Sequence, residues 1–258
     1  MTVAGYHHVE DVMGTAVSID VRDPVLGTPG LSDVLTWLHH VDSTFSTYRR
    51  DSPISRLGRG EMSLGDVSDE VRDVLLQCET LRHVTDGAFD AFAVPAPNGT
   101  SLDPSGLVKG WSIERAAQLL EQAGLRNFCL NAGGDVAIRG HARTDEPWRV
   151  GVRAPHDVAR LAALFEVSGR VAVATSATYE RGAHIVDPRT GESTTGIASV
   201  TVVGPDLGLA DAYATAVFVM GAEGIEWIGG QHGYDVLMLT HDHRELTTPG
   251  FTRWRTNE

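Results

Sequence analysis

The stretch Phe128-Cys129-Leu130-Asn131-Ala132-Gly133-Gly134-Asp135-Val136-Ala137-Ile138 decides the fold class. Two short strand-like runs, Phe128 to Ala132 and Asp135 to Ile138, flank a glycine pair that permits a tight hairpin. These two strands are therefore expected to run antiparallel. Working outward, Thr15 to Val21 alternates polar and apolar residues, the pattern of a half-buried strand. Trp148 to Arg153, Val171 to Thr175, Ser199 to Val203 and Asp235 to Leu239 are further strand candidates.

Helical periodicity marks other segments. Leu31, Val34, Leu35, Leu38 and Val41 share one face of a helix over Leu31 to Val41, with Ser32 as its expected cap. Ser68 to Val84 repeats the pattern, with Ser68 as cap and Asp69 and Glu70 at the positive end of its dipole. Ala93 to Gly110 is rich in Gly and Pro and reads as an irregular loop. Ser112 to Ala123 is amphipathic and ends at Gly124, a candidate left-handed cap. Ala210 to Met220 is a mostly apolar helix. Strands and helices mix without a regular βαβ rhythm, so the expected class is α+β. At roughly 150 residues per domain, 258 residues give one large domain, 1–258, or two intimate halves.

The formal net charge is −13, from 21 Lys and Arg against 34 Asp and Glu. With no basic run, the chain is a poor partner for nucleic acid. An anionic ligand would need a metal ion or helix dipoles to offset that field. Two distant cysteines, Cys78 and Cys129, give neither a disulfide framework nor a cysteine zinc site. Met1 to Asp23 lacks the basic start and unbroken apolar stretch of a signal peptide, and no run reaches the ~20 apolar residues of a spanning helix. A cytoplasmic protein without a membrane anchor is expected. The pairs His7-His8 and His39-His40, and His241 with His243, read as solvated surface groups.

Three segments carry candidate chemistry. In Leu209-Ala210-Asp211-Ala212-Tyr213-Ala214-Thr215-Ala216, a carboxylate and a hydroxyl four residues apart lie on one helical face. A carboxylate with neutral oxygens is a sparse donor set that Mg²⁺ accepts. The same spacing also suits an acid near a helix start beside a threonine bonded to its own backbone. Leu102-Asp103-Pro104-Ser105-Gly106-Leu107-Val108-Lys109-Gly110 runs from the loop into a helix, where free amides could meet a phosphate, or simply forms a turn. In His184-Ile185-Val186-Asp187-Pro188-Arg189-Thr190-Gly191, His184 precedes a turn and can titrate near neutral pH, with Asp187 available to orient it. A lone histidine beside a turn is more often structural or merely solvated.

Together these segments resemble the ApbE family, flavin transferases that move FMN from FAD onto a protein threonine or serine. Met13-Gly14-Thr15, Phe45-Ser46-Thr47-Tyr48-Arg49, Ser52-Pro53-Ile54-Ser55, Asp86-Gly87-Ala88-Phe89-Asp90 and Asn131-Ala132-Gly133-Gly134-Asp135 match in order, with the three segments above between and after them. The resemblance implies mixed, largely antiparallel sheets flanked by helices, a T-fold-like arrangement with the flavin in a cleft between two halves. It implies Asp211, Thr215 and the main-chain oxygen of Gly106 as Mg²⁺ ligands. It implies Met13, Tyr48, Asp103, Lys109 and Ile185 as FAD contacts and His184 as the catalytic histidine. Phe92 to Ser101 is shorter and more Pro-rich than the family's usual segment, so no ligand is assigned there. Thr175-Ser176-Ala177-Thr178 replaces a Thr-Ser-Gly-Asp-like sequence.

The implied activity is Mg²⁺-dependent FAD:protein FMN transfer to a Thr or Ser in a Ser/Thr-Gly-Ala-Ser/Thr-like motif, with AMP released. The chain has no such motif of its own, so the acceptor is expected to be another protein. An FAD pyrophosphatase yielding FMN and AMP, and a flavin-binding protein that holds FAD without turnover, are the competing readings.

Overall fold

The structure, a computed structural model, describes residues 5–93, 96–97, 99–177 and 186–255. Its first element is the hairpin β1 (Tyr6–Val12) and β2 (Thr15–Val21), turned at Met13 and Gly14, both at positive φ. Three helices follow: α1 (Leu31–Phe45), α2 (Pro53–Gly58) and α3 (Asp69–Val84). The long α4 (Ser105–Gln122) then leads into β3 (Phe128–Ala132) and β4 (Asp135–Arg139). Gly133 and Gly134 take φ of 59° and 104°, so the expected hairpin forms with the left-handed backbone that two central glycines accept without strain. Next come β5 (Trp148–Ala154), β6 (Asp157–Val167), β7 (Val171–Ala177) and β8 (Ile197–Gly204). The chain finishes with α5 (Leu207–Met220), α6 (Glu223–Gly229), β9 (Asp235–Thr240), β10 (Glu245–Thr247) and a 3-10 helix, Pro249–Trp254.

Eight strands form one sheet in the order β1-β2-β3-β4-β7-β8-β9-β10, while β5 and β6 pair with each other. Every pairing between these strands is antiparallel. This is the expected α+β class. Alternation along the strands divides the apolar residues between two sides of the sheet. One side buries Val17, Ile19, Phe128, Leu130, Val200 and Met238 against the helices. The other buries Ile138, Val173 and Leu237 against Trp148, Val152 and Phe165 of the β5–β6 hairpin and Phe251 of the 3-10 helix.

Several expectations need correction. Ser32 does not cap α1; Gly30, at φ 77°, takes that position without a side-chain bond. Ser68 does cap α3, accepting from the Val71 amide at 3.4 Å. The loop expected to run to Gly110 ends earlier, because α4 is already helical from Ser105. The histidines at the N-terminal end lie at the surface as expected, and three of them also meet acids: Glu10 accepts from both His8 (3.1 Å) and His39 (2.7 Å), and His40 meets Glu70 at 2.9 Å. His241 and His243 cluster with His156, whose ring lies 3.9 Å from that of His243, centre to centre. Both cysteines are free, and burial pushes each thiol up to about 12. No helix among the described residues is long and apolar enough to cross a membrane.

Candidate active site

The site forms where α4 and α5 touch. A Cβ on Gly110 would sit 2.3 Å from the Leu207 carbonyl and 2.8 Å from the Asp211 Cβ, so only glycine lets the two helices approach this closely. That approach lets the Gly110 amide donate to Asp211 Oδ2 at 3.0 Å. In an α-helix the same amide is the donor for the Gly106 carbonyl. One turn earlier, a Cβ on Gly106 would stand 3.8 Å from Thr215 Oγ1, which places the start of α4 beside the second half of the Asp211–Thr215 pair. Ser176 Oγ on β7 approaches Thr215 Oγ1 to 3.3 Å.

Lys109 lies between two carboxylates. Its ammonium pairs with Asp135, at the start of β4, and stands 3.5 Å from Asp211 Oδ1. Asp135 is 1% exposed and its other oxygen accepts from the Thr175 amide at 2.9 Å. Asp211 is 3% exposed. Burial pushes its carboxyl up to about 7; the Lys109 charge opposes the rise and the neighbouring Asp135 adds to it. Two buried carboxylates facing one ammonium leave this pocket with surplus negative charge, a setting that favours an added cation.

The donors gathered here are a carboxylate, a hydroxyl and a helix-start carbonyl, all oxygen, and oxygen sets of this kind suit Mg²⁺. Among the described residues no group of three His, Cys, Asp or Glu side chains could hold a metal ion. Any ion at this site would therefore take neutral protein oxygens and ligand or water oxygens alongside Asp211.

The remaining candidates are placed unevenly. Met13, on the β1–β2 turn at φ 55°, accepts from Ser112 Oγ at 3.5 Å, and that hydroxyl also bonds the Lys109 carbonyl at 2.8 Å. Met13 thus flanks α4 one turn beyond Lys109. Asp103 stands just before α4, where its carboxylate accepts from the Ser105 amide at 2.9 Å. Tyr48 lies on the α1–α2 connection and is 80% exposed. Asp187 is engaged by Arg189, which donates from Nε at 2.9 Å and from Nη2 at 2.8 Å. That guanidinium holds the Asp187 carboxyl below its usual value, and Arg189 in turn packs on Gly87. His184 and Ile185 lie outside the described residues.

Asp135, Thr175 and Ser176 received no role from the sequence, although all three lie in quoted motifs. The available signal was an acid directly after a Gly-Gly turn, at the mouth of a strand. Its meaning depends on Lys109, 26 residues earlier in the chain, which no local pattern connects to it.

The ApbE family model matches residues 13–98 and 93–238 of this chain. The FAD:protein FMN transferase of Vibrio cholerae is 26% identical over 293 residues, covering 87% of this chain and 88% of that protein. That of Rhodobacter capsulatus is 32% identical over 243 residues, covering 88% of this chain but only 42% of the longer relative. Among solved structures, the flavin transferase ApbE from Vibrio cholerae superposes with a TM-score of 0.83 at 24% identity, over 97% of this chain and 99% of that one. The ApbE protein from Thermotoga maritima gives 0.86 at 22% identity, over 98% and 100%. These likenesses establish the fold, and the family match spans most of the sequence that builds the α4–α5 site. The chain belongs to the ApbE family.

Proposed function

We propose that this protein is an Mg²⁺-dependent FAD:protein FMN transferase that attaches FMN to a Thr or Ser hydroxyl of another protein and releases AMP. The observation that carries the reading is the α4–α5 cluster in which the buried carboxylates of Asp211 and Asp135 face the single ammonium of Lys109, with Thr215 and Gly106 bringing neutral oxygens beside Asp211. Asp211, Thr215 and the Gly106 carbonyl would hold the ion. Engagement of the Gly110 amide by Asp211 supports this, because it draws the ordinary helical partner of the Gly106 carbonyl toward the carboxylate. When bound, Mg²⁺ supplies charge compensation for the FAD diphosphate and polarisation of the phosphoryl group.

The chain's own residues do the rest. Lys109 is held by Asp135 and Asp211 at the start of α4, where its charge and the helix N-terminus favour a phosphate. Met13, Tyr48, Asp103 and Ile185 complete the FAD contacts in this reading. The acceptor oxygen forms a bond to the FMN phosphorus as the diphosphate P–O bond breaks, and AMP departs with that electron pair. His184 takes the acceptor proton, with Asp187 in its neighbourhood in sequence. Base assistance of this kind is typically worth about 10²–10⁴-fold.

The test is incubation with FAD, Mg²⁺ and a peptide of the Asp-x-x-Thr-Gly-Ala-Thr type, following peptide mass and nucleotides together. A mass gain of one FMN group with equimolar AMP is expected. AMP and free FMN without peptide modification would replace this reading with a pyrophosphatase, and FAD bound but intact would replace it with a carrier.

A further inference from the structure

Strand β1 is an open edge of the eight-stranded sheet. Its two-residue turn makes Val12 and Thr15 a hydrogen-bonded pair, so Val12, Glu10, His8 and Tyr6 direct their main-chain groups toward β2. The N–H and C=O groups of His7, Val9 and Asp11 therefore point away from the sheet. All three residues are exposed, Val9 by 50%, and among the described residues none of their main-chain groups has a hydrogen-bond partner. The opposite edge is managed differently: β10 has three residues, and Glu245 there is paired with Arg255. Strand β1 has seven residues with no Lys, Pro or bulge, and its only edge charges are the acids Glu10 and Asp11.

The sequence of this edge is its own complement. Tyr6-His7-His8-Val9-Glu10-Asp11-Val12 reads apolar, His, His, apolar, acid, acid, apolar. Set antiparallel to an identical strand about Val9, it places His7 opposite Asp11, His8 opposite Glu10, Tyr6 opposite Val12, and Val9 opposite itself. His8 and Glu10 already attract one another within the chain, at 3.1 Å. A two-fold pairing of this kind satisfies every outward N–H and C=O of His7, Val9 and Asp11 and sets imidazole donors opposite carboxylate acceptors across the seam. A one-residue slip in register removes the match.

We propose that β1 is the contact surface for a second copy of this chain, the two edges pairing antiparallel about Val9 into one continuous sheet. The occupant follows from charge complementarity: the strand's polarity pattern fits its own reverse.

Sedimentation of the full-length protein, at concentrations up to its solubility, tests this with three variants. Val9→Pro removes an outward donor without touching a bond to β2, since proline is tolerated at sheet edges. The wild type is expected to sediment as a dimer and Val9→Pro at half that mass, with FAD turnover retained as evidence of folding. His7→Asp sets acid against acid and is expected to give a monomer, whereas His7→Asp combined with Asp11→His restores both pairs and the dimer. A monomeric wild type overturns the proposal, as does a dimer that persists in Val9→Pro. So does a double swap that stays monomeric while folded. Loss of transfer to the acceptor peptide in Val9→Pro without a change of mass would assign the edge to the acceptor instead. The sedimented masses are independent of the transferase reading; only the turnover control and the peptide-transfer outcome rest on it.

Discussion

Folding changes the chemistry of Asp211. Its carboxyl has a pKa of about 7 in the fold against 3.8 in a free chain, so the folded state binds that proton more tightly. The stabilisation this gives is complete below pH 3.8 and is lost as pH rises through 7. In metal-free protein the melting temperature of the wild type relative to Asp211→Asn should therefore decline as pH rises through 7, the difference between the two isolating this one group. If Asp211 holds the ion, Mg²⁺ should raise the melting temperature of the wild type above pH 7 and leave Asp211→Asn unmoved; an unchanged Mg²⁺ response in the variant would remove Asp211 from the metal site. Asp135 acts one step further out, by holding Lys109 from the β4 side. Substitutions at such outer positions cost about 10–100-fold in metal affinity or activity. Asp135→Asn is expected in that range, measured as the Mg²⁺ concentration for half-maximal FAD turnover.

At the scale of elements, the contact between α4 and α5 decides whether the site exists. Gly110→Ala drives a methyl group into the Leu207 carbonyl and the Asp211 side chain, and the helices must separate to admit it. Overpacking of this kind costs about 1–3 kcal/mol, which urea denaturation would resolve, and turnover should fall alongside stability. A helix cap gives a simpler case: Ser68→Ala removes the bond to Val71 and should cost about 1 kcal/mol with turnover unchanged. This contrast also explains what the sequence revealed. Helix α3 was legible because its cap, its first-turn acids and its apolar face all agree. The first two turns of α4 are not legible in the sequence, since Gly106 and Gly110 weaken a helix locally and are present because α5 and Thr215 approach there. Strands β1 and β6, and helix α2, offered no pattern strong enough to separate them from loops. The pairing of Asp211 with Thr215 was readable from spacing, whereas Asp135 needed the sheet to bring it to Lys109.

Across the whole molecule, the sheet separates two apolar layers with different duties. The layer under the β5–β6 hairpin lies opposite the helices that carry the site. Phe165 is fully buried there, and Phe165→Ala should cost about 3–5 kcal/mol of stability. FAD affinity, measured by fluorescence well below the melting point, should stay close to the wild-type value, and a large loss would show that the two layers are coupled. The order of the strands has a temporal consequence. Most neighbours in the sheet are close in sequence, but Val21 of β2 pairs with Phe128 of β3, and four helices intervene. Closing so long a loop adds little to the equilibrium cost, because that cost grows only with the logarithm of length, yet non-local pairing slows assembly. The first hairpin emerges from the ribosome long before the strand it must join. Met13, at the tip of that hairpin, meets Ser112 of α4 across nearly the same stretch of chain, so ligand capture during refolding should lag behind the burial of the remaining sheet.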